Sequence, residues 1–363
     1  MVTYVLLLLI NNLQSQDSLS INFNKKQLKN YNYTHNEQFS LESGAVLPQL
    51  HINYSTFGTI NNAGDNVIWI CHALTANSSP SVWWSELVGE GKYYNPEKYF
   101  IICANVIGSC YGSSGPLTLT NTGEPAYHHF PQVTIRDMVK AHELLRAHLK
   151  IENIHTCIGG SVGGQQAMEW AIMQPKLIQH LVLLCTNAFH SPWGIACNEA
   201  QRMALTTDST FYTSSTDAGK EGLKAARAMA LLTYRNYHTY CATQQEQDIE
   251  KLDDYAASSY QKYQGEKLEK RFNAHAYWLL SKAMDSHHVG RGRGGAELAL
   301  AQIAAKTMVV GITSDILFPV AEQQYLAKYI PKAAFVEIES LYGHDGFLIE
   351  TAKIQGALTD FYN

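Results

Sequence analysis

Short apolar runs rich in β-branched residues recur near Asn66, Tyr99, His155, His180, Lys306 and Ala334, and stretches of helical period separate most of them. Continuous apolar runs mark strands buried on both faces, and their alternation with helices predicts a mainly parallel sheet covered on both sides. The rhythm breaks between Phe189 and Gly290, where helical runs such as Lys220 to Tyr234 and Lys267 to Met284 appear without a convincing strand. The pattern therefore predicts an α/β core, residues 39–188 and 291–363, with a helical lid over residues 189–290 inserted ahead of the Met308 to Ile312 strand. Residues 1–38 fit neither part. Val2 to Ile10 is apolar but too short to span a bilayer, no Lys or Arg precedes it, and Asn11 to Ser20 offers no clear cleavage site. The polar Asn, Gln, Ser, Lys and Tyr positions up to Asn36 predict a flexible extension, with the globular fold starting near Phe39.

Composition narrows the class. A chain of 363 residues, 46% hydrophobic and 16% charged, can bury a large core, and a net charge of -5 argues against a nucleic-acid surface. The compact basic stretch Arg291-Gly292-Arg293-Gly294-Gly295 is too short for a polybasic tract and reads as a solvated loop. The seven cysteines form no Cys-x-x-Cys pair, and Cys71, Cys103, Cys157 and Cys185 fall inside apolar runs, which predicts reduced core thiols in a cytoplasmic protein. No metal site is predicted: His128-His129 and His287-His288 are adjacent pairs, which point apart in a strand and share a helix face poorly.

The chemistry-bearing motif is Gly159-Gly160-Ser161-Val162-Gly163, which follows the strand-like Thr156-Cys157-Ile158 and precedes a helical run closed by Pro175. A strand turning sharply into a helix forces the serine into a strained conformation, leaves no room for neighbouring Cβ atoms, and sets Oγ at a helix N-terminus where negative charge is favoured. Serine needs a base and the base needs a carboxylate, and both follow in the order an α/β-hydrolase requires. Asp315 leaves the end of the Met308 to Ile312 strand, and His344 lies in the loop after Phe335 to Ile338. Earlier, His72-Ala73-Leu74-Thr75-Ala76 follows the strand Val67 to Cys71, so the Leu74 and Val162 backbone N–H groups are the candidate oxyanion donors. His72 reads as a histidine that hydrogen-bonds loop backbone, because the triad already has its base. Arg227 sits in the apolar run Ala225 to Tyr234, where an unpaired charge is costly, with Tyr234 two turns further along the same face. A core carboxylate or a bound anion would satisfy it.

These stretches together resemble the homoserine O-acetyltransferase family of α/β-hydrolase-fold acyltransferases over about residues 40 to 360. The likeness rests on His72 to Thr75, Asn105 to Pro116, Val133 to Val139, Gly159 to Trp170, Asn198 to Arg202, Ser314 to Pro319 and Gly343-His344-Asp345. Ala76 departs from a glycine common in the family, and Val162 from a methionine; both act through backbone or packing. The resemblance implies that Arg227 and Tyr234 grip the carboxylate of an amino-acid acceptor and that Asp345 takes its ammonium group. It also implies a homodimer that moves an acetyl group from acetyl-CoA to L-homoserine through an acyl-serine for methionine synthesis, with no resident cofactor and no membrane or nucleic-acid partner. A succinyl donor or a serine acceptor stays open, as does a carboxylic-ester hydrolase, which needs the same triad.

Overall fold

The computed structural model describes residues 28–363; Val2 to Ile10 and most of the expected extension lie outside the described residues. One eight-stranded sheet is built from β1 (Lys29–His35), β2 (Leu50–Phe57), β3 (Val67–Cys71), β4 (Phe100–Ala104), β5 (Ile154–Gly160), β6 (Ile178–Leu184), β7 (Lys306–Ile312) and β8 (Ala333–Ile338). Their order across the sheet is β1-β2-β4-β3-β5-β6-β7-β8. The strands from β4 to β8 run parallel, as their apolar runs predict, and every residue of β3 and β4 is buried. β1 and β2 add an antiparallel edge.

That edge corrects the expected start of the fold. Lys29 to His35 belongs to the sheet because its side chains alternate between half-buried and exposed, with Tyr31 stacked on Tyr54 at 5.5 Å and Tyr33 on His148 at 4.5 Å. A polar edge strand of this kind has the composition of a flexible segment, and only its cross-strand partners distinguish the two.

Helices α1 (Ile135–His148) and α2 (Val162–Met173) fill connections between strands. α1 opens on a capping box in which the Thr134 side chain accepts from Asp137 N–H while the Asp137 carboxylate accepts from Thr134 N–H. Between β6 and β7 come α3 (Pro192–Thr207), α4 (Lys220–Tyr234), α5 (Tyr237–Thr243), α6 (Ala256–Glu269) and α7 (Ala274–Asp285), the inserted helical layer. α8 (Val320–Tyr329) and α9 (Thr351–Tyr362) complete the core. Leu145, Ala167 and Leu326 pack on one side of the sheet, while Ile354, Leu358 and Phe361 pack with Ile68 and Val182 on the other. The run Lys267 to Met284 is two helices, because Asn273 caps the second by accepting from Ala276 N–H. No helix among the described residues is long and apolar enough to cross a membrane.

Two further expectations are refined. The Arg291 to Gly295 stretch is the largely exposed loop expected, but its arginines are paired: Arg291 meets Glu42 at 3.0 Å and Arg293 meets Glu169 at 2.5 Å, and Arg136 bonds both of those carboxylates. With Glu169 buried in α2, this exposed segment after the lid is tied to the core by charge pairing. His128 and His129 lie in a 3-10 turn with ring centroids 4.0 Å apart, since a tight turn lets neighbouring side chains meet as a strand does not.

Candidate active site

The chain leaves β3 toward β4 on one side and returns to β5 on the other, so a crevice opens at the carboxyl ends of β3 and β5. Cys71 pairs in register with Gly159, which brings the loop carrying Leu74 alongside the turn carrying Ser161. Ser161 takes φ 57 and ψ -128, a strained conformation for a residue with a side chain. Its N–H donates to Leu184 O at 2.9 Å and its carbonyl accepts from Thr186 Oγ1 at 2.8 Å, so backbone bonds hold the turn. A Cβ on Gly159 would lie 2.2 Å from Gly163 O, and one on Gly163 would lie 2.2 Å from Cys71 O, so the close approach of strand and helix excludes any side chain there.

The three expected reactive groups come to one place. Asp315 and His344 are buried, and His344 Nδ1 donates to Asp315 Oδ2 at 2.7 Å. Asp315 Oδ1 accepts from the N–H groups of Leu317 and Phe318, each at 2.9 Å, which fixes the carboxylate plane. The imidazole is held by Phe318, stacked at 5.0 Å, and by Phe347, edge-on at 5.4 Å. Ser161 and His344 line one cavity; no hydrogen bond joins the Ser161 hydroxyl to His344, a contact that commonly tightens only once substrate is bound. The Leu74 and Val162 N–H groups donate to no other group among the described residues, so both remain open to a ligand.

Neighbouring groups separate bystanders from candidates. His72 is fully buried, its Nδ1 donating to Ala73 O at 2.8 Å and its Nε2 accepting from Val106 N–H at 3.0 Å. Burial pushes its pKa down to about 4, so it acts as a neutral brace of the loop, as read from the sequence. Cys185 Sγ lies with Asp315 and His344 in a cluster whose ligand atoms fall within 4.8 Å of one another. Burial raises its thiol well above the ordinary range, and the neighbouring Asp315 carboxylate adds to the rise.

Arg227 faces the same cavity with its guanidinium 5.3 Å from the Tyr234 ring centroid, and it has no carboxylate partner among the described residues. The alternative of a core salt bridge is therefore set aside: the charge is half-exposed to the cavity and needs no buried acid. Asp345 lines the cavity too, but its Oδ2 already accepts from Arg235 Nε at 2.7 Å. Sequence reasoning missed Arg235, because nothing local to Thr233-Tyr234-Arg235 indicates a partner that arrives from beyond β8. It also missed Lys267 and Arg271, which line the cavity from the lid.

Glu322 on α8 accepts from Asn187 Nδ2 at 3.0 Å near this site. Burial raises its carboxyl from 4.5 to about 7, hydrogen bonds from Asn187 and Ser191 oppose the rise, and Asp315 adds to it. The folded chain then holds this proton more tightly than the unfolded one, so the contribution of Glu322 to stability is fully present below about 4.5 and is lost as pH rises through about 7. The expected decline is on the order of 3 kcal/mol at most. Urea unfolding at pH 5 and pH 8 should show Glu322→Gln losing that pH dependence; an identical slope in the variant would refute the assignment.

Comparison with known proteins bears on what this arrangement belongs to. A family described as the alpha/beta hydrolase fold matches residues 66–351. A homoserine O-acetyltransferase of Cyclobacterium marinum is 49% identical over 90% of this chain and 93% of its own length. The chain belongs to the homoserine O-acetyltransferase family. Among solved structures, homoserine O-acetyltransferase from Bacillus anthracis superposes with a TM-score of 0.85 at 22% identity, covering 93% of this chain and 98% of that one. Esterase E22 superposes with the same TM-score of 0.85 at 20% identity, covering 93% of this chain and all of its own. The fold is thus common to acyltransferases of the homoserine O-acetyltransferase family and to esterases, and the lining of the cavity has to tell them apart.

Proposed function

We propose that this member of the homoserine O-acetyltransferase family moves an acetyl group from acetyl-CoA to the hydroxyl of L-homoserine, giving O-acetyl-L-homoserine for methionine biosynthesis. The observation that carries the reading is Arg227, a cation without a carboxylate partner, opening into the cavity of Ser161 and His344. An ester hydrolase has no need of such a charge, whereas an amino-acid acceptor brings the carboxylate that completes it.

His344, with Nδ1 bonded to Asp315, takes the Ser161 proton on Nε2 as Oγ attacks the thioester carbonyl. The Leu74 and Val162 N–H groups hold the oxyanion, the carbon–sulfur bond breaks, and the thiol leaves with the proton from His344. L-Homoserine, held by Arg227 and Tyr234 at its carboxylate and by Asp345 at its ammonium, then gives its hydroxyl proton to His344 and attacks the acetyl-serine; Ser161 departs with that proton. Lid helices over the cavity exclude the water that would otherwise take the acetyl group. The mechanism requires no resident metal or cofactor. Exposed Met203, Met229 and Leu232 on α3 and α4 support a homodimer joined through the lid, and seven free cysteines fit a cytoplasmic enzyme.

Free-CoA release from acetyl-CoA with and without L-homoserine tests the reading: acceptor-dependent release is expected, and acceptor-independent release makes the protein a thioesterase. Arg227→Ala should lower efficiency toward homoserine by roughly 30-fold to 1000-fold while acylation of Ser161 stays nearly intact, and lysine should restore it only in part. Loss of both half-reactions together with a lower melting temperature would refute the substrate role.

A further inference from the structure

Two neighbouring residues of α8 reach the turn of Ser161 by separate buried routes. Gln323 Nε2 donates to Thr186 O at 2.8 Å, and Thr186 Oγ1 donates to Ser161 O at 2.8 Å. Beside that route, Glu322 Oε2 accepts from Asn187 Nδ2 at 3.0 Å, and Asn187 Oδ1 accepts from Gln165 Nε2 at 2.9 Å. Gln165 stands in the first turn of α2, where its N–H donates to Ser161 O at 3.2 Å. Its Oε1 has no partner among the described residues, so the bond to Asn187 is what holds this buried side chain. The second route runs from donor to acceptor and needs an acceptor at its end, which among the described residues is the Glu322 carboxyl. α8 also starts at the acid: Asp315 is fixed by the Leu317 and Phe318 N–H groups, and the helix begins at Val320. One helix thus sets where nucleophile and acid stand relative to each other, and a strained serine persists only where its surroundings over-determine it.

We propose that Glu322 is a positioning residue for acyl transfer: through Asn187 and Gln165 it holds the first turn of α2, and with it the Val162 N–H and the Ser161 hydroxyl, against Asp315 and His344. The role rests on the acyl-serine reading and is independent of which donor and acceptor are used. Burial has brought the Glu322 carboxyl to about 7, so it ionises across the neutral range. The ionised form takes the stronger bond from Asn187 and favours the imidazolium that His344 becomes as it accepts the Ser161 proton. Asp315 opposes that ionisation, while Asn187 and Ser191 meet the carboxyl as neutral donors. The other titratable groups around α8 do not share the task. Burial keeps His190 and His287 neutral, at about 4 and about 3, and Lys306, Glu337 and Glu297, on β7, β8 and the short helix Ala296–Leu300 beside α8, are exposed.

With enzyme in excess, release of p-nitrophenol from p-nitrophenyl acetate reads acylation of Ser161 without CoA or homoserine, followed at the wavelength where phenol and phenolate absorb equally. Glu322→Ala should slow this step about 10-fold to 100-fold at both pH 6 and pH 8. Glu322→Gln keeps the acceptor and lacks the charge, so it should recover most of the rate at pH 6 and fall about 3-fold to 10-fold behind the wild type at pH 8. At pH 8 the same variant should unfold at a higher urea concentration than the wild type, because it spares the fold a buried charge. A protein at once slower and more stable marks positioning, whereas a side chain that only held the fold together would lose rate and stability in parallel. Where Glu322→Ala does not fold, the glutamine variant at pH 6 and pH 8 decides. Acylation by Glu322→Ala within about twofold of the wild type, or a glutamine deficit that does not grow between pH 6 and pH 8, would overturn the role. A wild type no faster than Ser161→Ala ends the acyl-serine reading and overturns the role with it. Acylation of Ser161 without transfer to L-homoserine refutes the acceptor alone, and the same two variants then decide Glu322.

Discussion

Ser161→Ala should lower acetyl transfer by at least about 10⁴-fold, the scale on which a catalytic triad loses its nucleophile. The structure makes this a clean experiment, because the Ser161 hydroxyl bonds no other group among the described residues while the backbone N–H and carbonyl hold the turn through Leu184 and Thr186. Alanine keeps the same backbone and the same strain, so the melting temperature should stay near that of the wild type. Intact-protein mass spectrometry with acetyl-CoA alone should show one acetyl adduct on the wild type and none on the variant. A variant with near-normal turnover, or an adduct mapped to another side chain, would end the acyl-serine mechanism.

Asp315→Asn should cost about 10⁴-fold in both half-reactions, through the tautomer of His344 rather than through the fold. Asp315 Oδ1 is committed to the N–H groups of Leu317 and Phe318, so the oxygen of an asparagine amide stays with those donors and its NH₂ turns to His344. Nδ1 must then accept, Nε2 carries the proton, and the imidazole can no longer take one from Ser161. Asp345→Asn makes the useful contrast, since that carboxylate faces the cavity and Arg235 rather than His344 Nδ1. It should leave the acetylation burst intact and raise the homoserine concentration needed for turnover. A burst lost equally in both variants would contradict this division of roles.

The amino-acid sequence by itself determined the elements that depend on local pattern. Buried parallel strands are apolar along most of their length, which is why β3 to β7 were legible, and a strand-to-helix turn this tight admits only glycine at positions 159 and 163. Those two facts, with Asp315 and His344 each following a strand, carried the candidate triad. Tertiary structure decided whatever depends on a partner distant in sequence. The β1 strand reads as polar linker until Tyr54 and His148 meet its tyrosines, and Arg291 and Arg293 read as unpaired until Glu42 and Glu169 arrive. The same holds for charge in the cavity: the pairing of Arg235 with Asp345, and the lack among the described residues of a carboxylate paired with Arg227, Lys267 or Arg271, follow from where the lid helices place these side chains. Charge interactions fall off over a few ångströms and are indifferent to sequence separation, so no local period encodes them.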